Sequence, residues 1–508
     1  MMNIQKILIT GATGTMGLEC LKQLSSDLDM LHLIISARDS SKNRIALKDY
    51  INLDAVTIKW GDLTDYSYVR ECVKDADIIL HIAAFVSPAA DYNPKKAMQI
   101  NYGSTRNLLR AVRESGRENE TRFVYIGTVA ETGERLPPIH WGRVGDPIKP
   151  SMFDYYAVSK VAAERLVIES GLRYWVSLRQ TGIIGPAMSR IWDAIMLHNC
   201  FDNVLEYVSD RDSGRLLRNL CVFEINQSLS SSFWGHIYNI GGGESCRIDT
   251  YHLYQNSYGM MGISNLNRVL NPKWQATRNF HGQYYLDSGK LENYLHFRHD
   301  SIQYFYDCCL KEFEAAASLA MTLGRLPGGQ RLLCSVLRRK FKKLALTEHG
   351  TLSYLNQNRE DYIEAYWGGR KAWETLPDSL DDVSHFTDWD NVIILDHGYN
   401  ESKPESELNL EDIRQAAEFR GGRCLSSEME TGNWTQKLTF SCAFGHTFEA
   451  SPRLVLEGGH WCPVCERTSW NYGERAKRDP FFAQVWTPLH QAEELREYPK
   501  VVSELDID

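Results

Sequence analysis

The stretch Ile4-Gln5-Lys6-Ile7-Leu8-Ile9-Thr10-Gly11-Ala12-Thr13-Gly14-Thr15-Met16-Gly17 decides the fold. Ile7, Leu8 and Ile9 make a short apolar run, as expected of a central parallel strand buried on both faces. Three glycines follow at once, spaced Gly-x-x-Gly-x-x-Gly, and a helix-compatible stretch begins at Leu18. Gly11 permits a sharp turn out of the strand. Gly14 and Gly17 let a pyrophosphate and the neighbouring strand approach the backbone closely. The new helix then offers unpaired N–H groups and its positive dipole end to phosphates. A glycine triplet alone also fits a plain strand–turn–helix. Its place after the first strand, and the motifs downstream, favour a dinucleotide site built from Gly11, Thr13, Gly14, Thr15, Met16 and Gly17.

Further strand-like runs follow in order. The second, residues 31–35, runs into Ser36-Ala37-Arg38-Asp39. The residue just past this strand meets the adenosine ribose in a dinucleotide fold, where an acid binds the 2′-hydroxyl and an arginine suits a 2′-phosphate. Ser36 stands where the acid would be and Arg38 lies two residues on, so NADP is favoured and NAD stays open. A solvated loop arginine is the plainer alternative. Residues 56–60 form the third run, and Asp62 at its carboxyl end, next to Leu63, can accept a hydrogen bond from the adenine amino group. The fourth, residues 78–84, ends in Ala83 and Ala84, small enough for a cofactor to lie across them. Residues 101–109 read as helical, and the fifth run, residues 123–126, leads to Gly127-Thr128. Strands alternating with helices predict an α/β, Rossmann-type, doubly wound parallel sheet with ligands at the strands' carboxyl ends.

Tyr156 and Lys160 follow a Pro/Gly-rich loop and are four residues apart, so on a helix they share a face. An ammonium beside a phenol favours phenolate and lowers its pKa, fitting the tyrosine for proton transfer. Tyr-x-x-x-Lys by itself is usually a helix-surface pair. After five strands and a hydroxyl at the end of the fifth, it becomes specific.

On these pieces, with His81-Ile82-Ala83-Ala84, Asn101, Gly103-Ser104-Thr105, Leu178-Arg179, Gly185-Pro186 and Tyr238 to Gly242, residues 1–300 resemble an extended short-chain dehydrogenase/reductase. This is the NAD-dependent epimerase/dehydratase family. The resemblance implies that Tyr156 is the acid/base, that Lys160 holds the nicotinamide ribose and depresses the tyrosine pKa, and that Thr128 hydrogen-bonds the reacting oxygen. It also implies that Asn101 and Thr181 line the cofactor cleft, with Asp62 and Leu63 among the cofactor-binding residues, and it leaves a helix-paired homodimer open. Two departures matter. Thr128 replaces the commoner serine, and Leu205 stands where sugar-nucleotide members carry a pyrophosphate-binding arginine, although Arg211, Arg215 or Arg218 could substitute. Three readings follow: an NADP-dependent oxidoreductase acting on a carbonyl/alcohol substrate, a nucleotide-sugar epimerase or dehydratase with tightly bound NAD, or an NADP-binding redox-sensing regulator. Trp192, His198, Phe201 and Tyr207, in a smaller substrate-facing part, read as pocket or, more simply, as core.

The remainder divides into a helical extension (301–375), an acidic linker (376–411) and a C-terminal domain (412–508). The extension carries Ala315-Ala316-Ala317 and Leu319, a break at Leu326-Pro327-Gly328, then a basic cluster at Arg338, Arg339, Lys340, Lys342 and Lys343, which reads as a solvated helix face. The last domain holds Cys442-Ala443-Phe444-Gly445-His446 and Cys462-Pro463-Val464-Cys465. Cys-Pro-x-Cys is a tight turn aiming two thiolates at one ion, and Cys-x3-His supplies two more ligands, a closed tetrahedral zinc set of Cys442, His446, Cys462 and Cys465. The pattern resembles bacterial zinc-ribbon or treble-clef modules and suits a structural or protein-docking role. Its arginines are offset by acids, which speaks against nucleic acid. The chain of 508 residues, with net charge −9 and 43% hydrophobic content, is that of a globular protein with about three domains. It has no run near the roughly 20 apolar residues that cross a bilayer. The first strand starts almost at Met1, so we expect a cytoplasmic protein without membrane partners, its 12 cysteines thiols or metal ligands.

Overall fold

The computed structural model describes residues 4–260, 262–312 and 329–501. Seven strands, β1 (Gln5–Thr10), β2 (Leu31–Ala37), β3 (Val56–Trp60), β4 (Ile78–His81), β5 (Arg122–Thr128), β6 (Tyr174–Gln180) and β7 (His236–Ile240), form one sheet in the order 7-6-5-4-1-2-3. Every pairing in it is parallel. Thr10 lies opposite both Ser36 and His81, and Thr128 opposite Gln180, so the carboxyl ends share one edge. Strand order reverses between β1 and β4, the switch point where such sheets bind ligands. The helices that flank the sheet include α1 (Thr15–Leu24), α2 (Gly103–Glu114), α3 (Tyr155–Ile168) and α4 (Asp210–Ile225). α1 and α4 cover one face around Leu21, Leu216 and Leu217, and α2 and α3 cover the other around Leu108, Val112 and Val167.

Several boundaries differ from the sequence reading. α1 opens at Thr15, three residues before Leu18, because Gly14 is its N-cap and leaves the first turn free of any capping side chain. β2 continues to Ala37, so Ser36 lies inside the ladder and Arg38 is the first residue past the strand. β4 stops at His81, and the Thr10 hydroxyl, rather than a strand partner, accepts from the Ala83 N–H at 3.2 Å.

The segments after residue 300 wrap the sheet domain. Ala315 to Ala317, Leu319 and the break at Leu326-Pro327-Gly328 lie outside the described residues. α5 (Gly329–Ala345) buries Cys334, Phe341 and Leu344 while Arg339, Lys340, Lys342 and Lys343 stay exposed. Arg338 turns inward, donating to the Asn267 and Leu270 carbonyls at 3.0 Å each. Residues 376–411, expected as a connecting stretch, lie packed as a strap. Leu395 and His397 are buried, and the Trp389 carbonyl accepts from His140 Nε2 at 2.8 Å and Trp141 Nε1 at 2.9 Å. Beyond it, β8 (Arg423–Cys424), β9 (Leu438–Ser441) and β10 (Thr447–Ala450) form an antiparallel sheet, followed by α6 (Pro463–Thr468).

This C-terminal unit does not face outward. Phe440, Phe448, Leu454, Val455, Leu456 and Trp461 share one core with Ala163, Val167 and Ile168 of α3. No residue of α3 is exposed. A helix buried all round is one whose sequence is apolar all round, and Tyr155 to Ile168 breaks that rule only at Ser159, Lys160, Glu164 and Arg165, all of which are buried or half-buried. A homodimer through α3 therefore has no free surface to use: the chain's own C-terminal unit occupies it.

Candidate active site and Cys/His cluster

Gly11 turns the chain out of β1 with φ +73°, a left-handed conformation open to glycine. A Cβ there would stand 2.6 Å from the Ala83 nitrogen, and one on Gly17 would stand 2.2 Å from the Gly11 carbonyl. Both glycines are required by close backbone approach, and Gly14, exposed between them, leaves space at the open N-terminus of α1. Thr13 and Thr15 rim this turn, with Ala12 and Met16 buried beneath it. The cradle fits a pyrophosphate: small residues, free N–H groups and a positive dipole end meet at one point.

Past β2, Arg38 and Asp39 are exposed. Asp39 is held by Arg44 in a bidentate pair at 2.6 and 2.8 Å, so its charge is already balanced. Among the described residues Arg38 has no ion-pair partner. Ser36 is turned inward to the Tyr68 hydroxyl at 2.9 Å, and Tyr68 donates to the Lys59 carbonyl. The first residue past β2 is thus Arg38, two residues later than the sequence reading set it. Asp62 is exposed, one oxygen accepting from Thr64, with Leu63 half-buried beside it.

A buried relay fixes the floor between β1 and β4. Thr10 donates to His81 Nδ1 and His81 Nε2 donates to Thr105, each at 2.9 Å, and Thr105 donates to the Asn101 carbonyl at 2.7 Å. Burial and the Lys160 charge push His81 down to about 3, so this imidazole is neutral. Asn101 clamps the loop carrying Ala83 and Ala84. Its amide accepts from the Phe85 N–H at 2.7 Å and donates to the Phe85 carbonyl and to Ser159 of α3. Thr181, just past β6, is buried beside Tyr285.

Thr128 ends β5, one strand from β4 and two from β1, so its hydroxyl lies roughly 10 Å along the sheet edge from the glycine turn. That hydroxyl lies near enough to the Tyr156 phenol to favour its ionised form. Lys160 shares α3 with Tyr156, but its ammonium donates to the Ile126 carbonyl at 2.6 Å and lies over the Tyr125 ring. The expected depression of the tyrosine pKa is not what this geometry gives. Burial pushes the phenol up, the Thr128 hydroxyl opposes this, and Glu131, Asp154 and Asp91 push it further up. Tyr156 is a protonated phenol at neutral pH. Lys160 is lowered to about 8 by burial, with Glu131 and Glu164 pulling it back up.

Behind Lys160 stands a cluster that the sequence reading missed. Glu131 accepts from the Thr128 N–H at 3.0 Å and lies 3.5 Å from Arg179. Arg179 grips Glu164 of α3 at 3.1 and 2.7 Å. All three side chains are fully buried. One signal was readable: Thr128-x-x-Glu131 is a capping box, and both its hydrogen bonds form. The partners of Glu164 and Arg179 are far away in sequence and leave no such mark.

The pyrophosphate candidates are all engaged elsewhere. Arg211 pairs with Asp300, Arg215 with Asp212, and Arg218 with Asp27 through two bonds of 2.7 Å. His198, Phe201 and Tyr207 are buried as core, and Trp192 lies exposed against Phe341.

At the other end of the chain, Cys442 and His446 occupy a knuckle in which Gly445 adopts φ +82°, and Cys462 caps α6 with Pro463 following. His446 Nδ1 lies 3.4, 3.6 and 3.3 Å from the sulfurs of Cys442, Cys462 and Cys465, and the Cys442 and Cys465 sulfurs are 3.8 Å apart. A tetrahedral zinc centre has edges of about 3.8 Å between sulfurs and about 3.5 Å between sulfur and nitrogen. The four donors fit one such ion.

Residues 7–206 match the model of the NAD dependent epimerase/dehydratase family. Curated relatives include D-erythronate dehydrogenase of Cupriavidus necator, 30% identical over 179 residues, 34% of this chain and 52% of the relative. Another is UDP-N-acetylglucosamine 4,6-dehydratase (inverting) of Campylobacter jejuni, 31% identical over 117 residues, 23% of this chain and 35% of the relative. The chain thus spans about half the length of such relatives, or less. Among solved structures, a double mutant of the dTDP-glucose 4,6-dehydratase of Streptomyces venezuelae with NAD bound aligns with a TM-score of 0.48 at 19% identity, covering 62% of this chain and 99% of its own.

Proposed function

We propose that the chain is an NADP-dependent oxidoreductase that reduces a carbonyl substrate, with Tyr156 as proton donor. The observation that carries this reading is the Tyr156 phenol, kept protonated by burial and placed beside the Thr128 hydroxyl at the sheet edge that also carries the glycine turn. The curated relatives named above include a dehydrogenase. Gly11, Thr13, Gly14, Thr15, Met16 and Gly17 would hold the pyrophosphate, Arg38 the 2′-phosphate, Asp62 and Leu63 the adenine, and Ala83, Ala84, Asn101 and Thr181 the cleft walls. When bound, the nicotinamide supplies the hydride. Thr128 orients the carbonyl oxygen, and Tyr156 delivers its proton to that oxygen as negative charge develops there. Lys160, whose ammonium donates to the Ile126 carbonyl near the end of β5, would hold the nicotinamide ribose. A hydride acceptor that lacks a diphosphate is favoured, because Arg211, Arg215 and Arg218 already have carboxylate partners.

A nucleotide-sugar epimerase or dehydratase with tightly held NAD is the second reading, favoured by the dehydratase relatives. A redox-sensing regulator is the third. The C-terminal set Cys442, His446, Cys462 and Cys465 is read as a structural zinc site. Tyr156→Phe tests the enzyme reading. NADPH binding, followed by quenching of protein fluorescence, should stay within about twofold, while NADPH-dependent reduction of a carbonyl panel falls by about 10²–10⁴. A variant that turns over at the parent rate removes Tyr156 from the chemistry.

A further inference from the structure

We propose that a metal ion held by Cys442, His446, Cys462 and Cys465 keeps the reductive site in working geometry, through the loop 458–466 that it anchors against α3. The proposal rests on the reading of Tyr156, Thr128 and Lys160 given above.

The loop is tied to the metal set at one end and to the buried cluster at the other. Cys462 and Cys465 supply two of the four donors. Four residues earlier, the Gly458 carbonyl accepts from Arg179 at 2.7 Å, and His460 Nε2 lies 3.0 Å from the Glu164 carboxylate. The Trp461 carbonyl accepts from Arg165 of α3 at 3.0 Å, and Glu466 closes the loop by accepting from the Trp461 N–H at 2.7 Å. Gly459, at φ +71°, lies so close to the sheet domain that a Cβ would stand 2.0 Å from the Asp146 carbonyl.

His460, Glu164, Arg179 and Glu131 are all fully buried. His460 meets Glu164, Glu164 bonds Arg179 and Arg179 lies against Glu131, and a buried polar network short of one member is destabilised strongly. The near end of this network sets the site: Glu131 accepts from the Thr128 backbone N–H, and Glu164, held ionised by Arg179, supplies the negative charge that faces Lys160. The far end is fixed only while three thiolates are gathered within a few ångströms, which requires a cation among them. Losing the ion frees Cys462, the loop withdraws Gly458 and His460, and water enters the cluster behind Lys160. His460 is thereby a positioning residue.

The full-length chain, stripped with a chelator and titrated with Co²⁺ alone, is expected to develop tetrahedral d–d and thiolate charge-transfer bands at one equivalent. Amide exchange of peptides covering 128–134 and 155–168 should then be about tenfold faster in the stripped chain than in the Zn²⁺-loaded one. His460→Ala keeps all four donors. It should retain one Zn²⁺, show the same faster exchange, bind NADPH within about twofold and lose about tenfold in kcat. His460→Gln, whose amide can donate to Glu164, should restore most of that loss. Absence of the tetrahedral bands overturns the proposal. So does unchanged exchange in both peptides for metal-loaded His460→Ala, which decides the matter even if the stripped chain unfolds. Exchange that responds as expected in a chain lacking NADPH-dependent turnover supports the link to α3 and removes the reading of Tyr156 instead.

Discussion

Arg38 shows how far a single side chain carries the cofactor reading. It is exposed past the end of β2, and its acidic neighbour Asp39 is already taken by Arg44. A guanidinium in that position matches a phosphate better than a diol. Arg38→Ala should therefore raise KM for NADPH by about 10- to 100-fold and leave KM for NADH within about twofold, as read from initial rates with the two cofactors. The residue type was legible in the sequence. Its place was not, because the ladder with β1 and β3 draws Ser36 into the sheet and turns its hydroxyl to Tyr68. Tyr156 and Lys160 differ in the same way: their spacing was readable, and their protonation was set by burial and by nearby acids, among them Glu131 from another segment.

At the scale of elements, the contact between the 453–457 segment and β7 is built on one carboxylate. Glu457 accepts from the Ile237 N–H at 2.8 Å and pairs with His236 and Arg453. Burial pushes this acid up, but the Arg453 charge and the His236 hydrogen bond outweigh it and hold the carboxyl down at about 2. A folded-state pKa below the ordinary value of 4.5 means stability that is present above pH 4.5 and lost as pH falls towards 2. Glu457→Gln should cost on the order of 2–3 kcal/mol at pH 7, and the gap to the parent should close at about pH 2. Denaturant midpoints of both proteins at the two pH values check this. The α3 helix makes the complementary point. Its apolar residues point in every direction, so the sequence already implied a second covering layer, without saying which segment provides it.

The whole molecule has one consequence that no element has alone. Leu408, Ile413, Ala416, Leu438, Phe440 and Leu454 belong to the same core as Leu108, Val167 and Trp175. A chain cut after residue 300, where the resemblance to a complete catalytic unit ends, exposes that face of α3 and β6. Such a fragment should be insoluble or run as aggregates that bind a hydrophobic dye, whereas the full chain should not. Size-exclusion chromatography with light scattering separates the two outcomes. A monodisperse, cooperatively unfolding 1–300 fragment would show that the C-terminal unit is an attachment rather than part of the core. Among the described residues no helix is long and apolar enough to cross a membrane.

Local chemistry was determined by the sequence itself: the glycine turn, the alternation of strands and helices, the Tyr-x-x-x-Lys pair and the Cys/His spacing each lie within a few residues, where backbone geometry and side-chain type suffice. Tertiary structure alone decided that the strap 376–411 is packed, that the C-terminal unit lies on α3, and that Glu131, Glu164, Arg179 and His460 meet. Those partners are up to 296 residues apart. Their meeting follows from burial of an all-round apolar helix and from the need of each buried charge for a counter-charge, conditions that only the folded chain can satisfy.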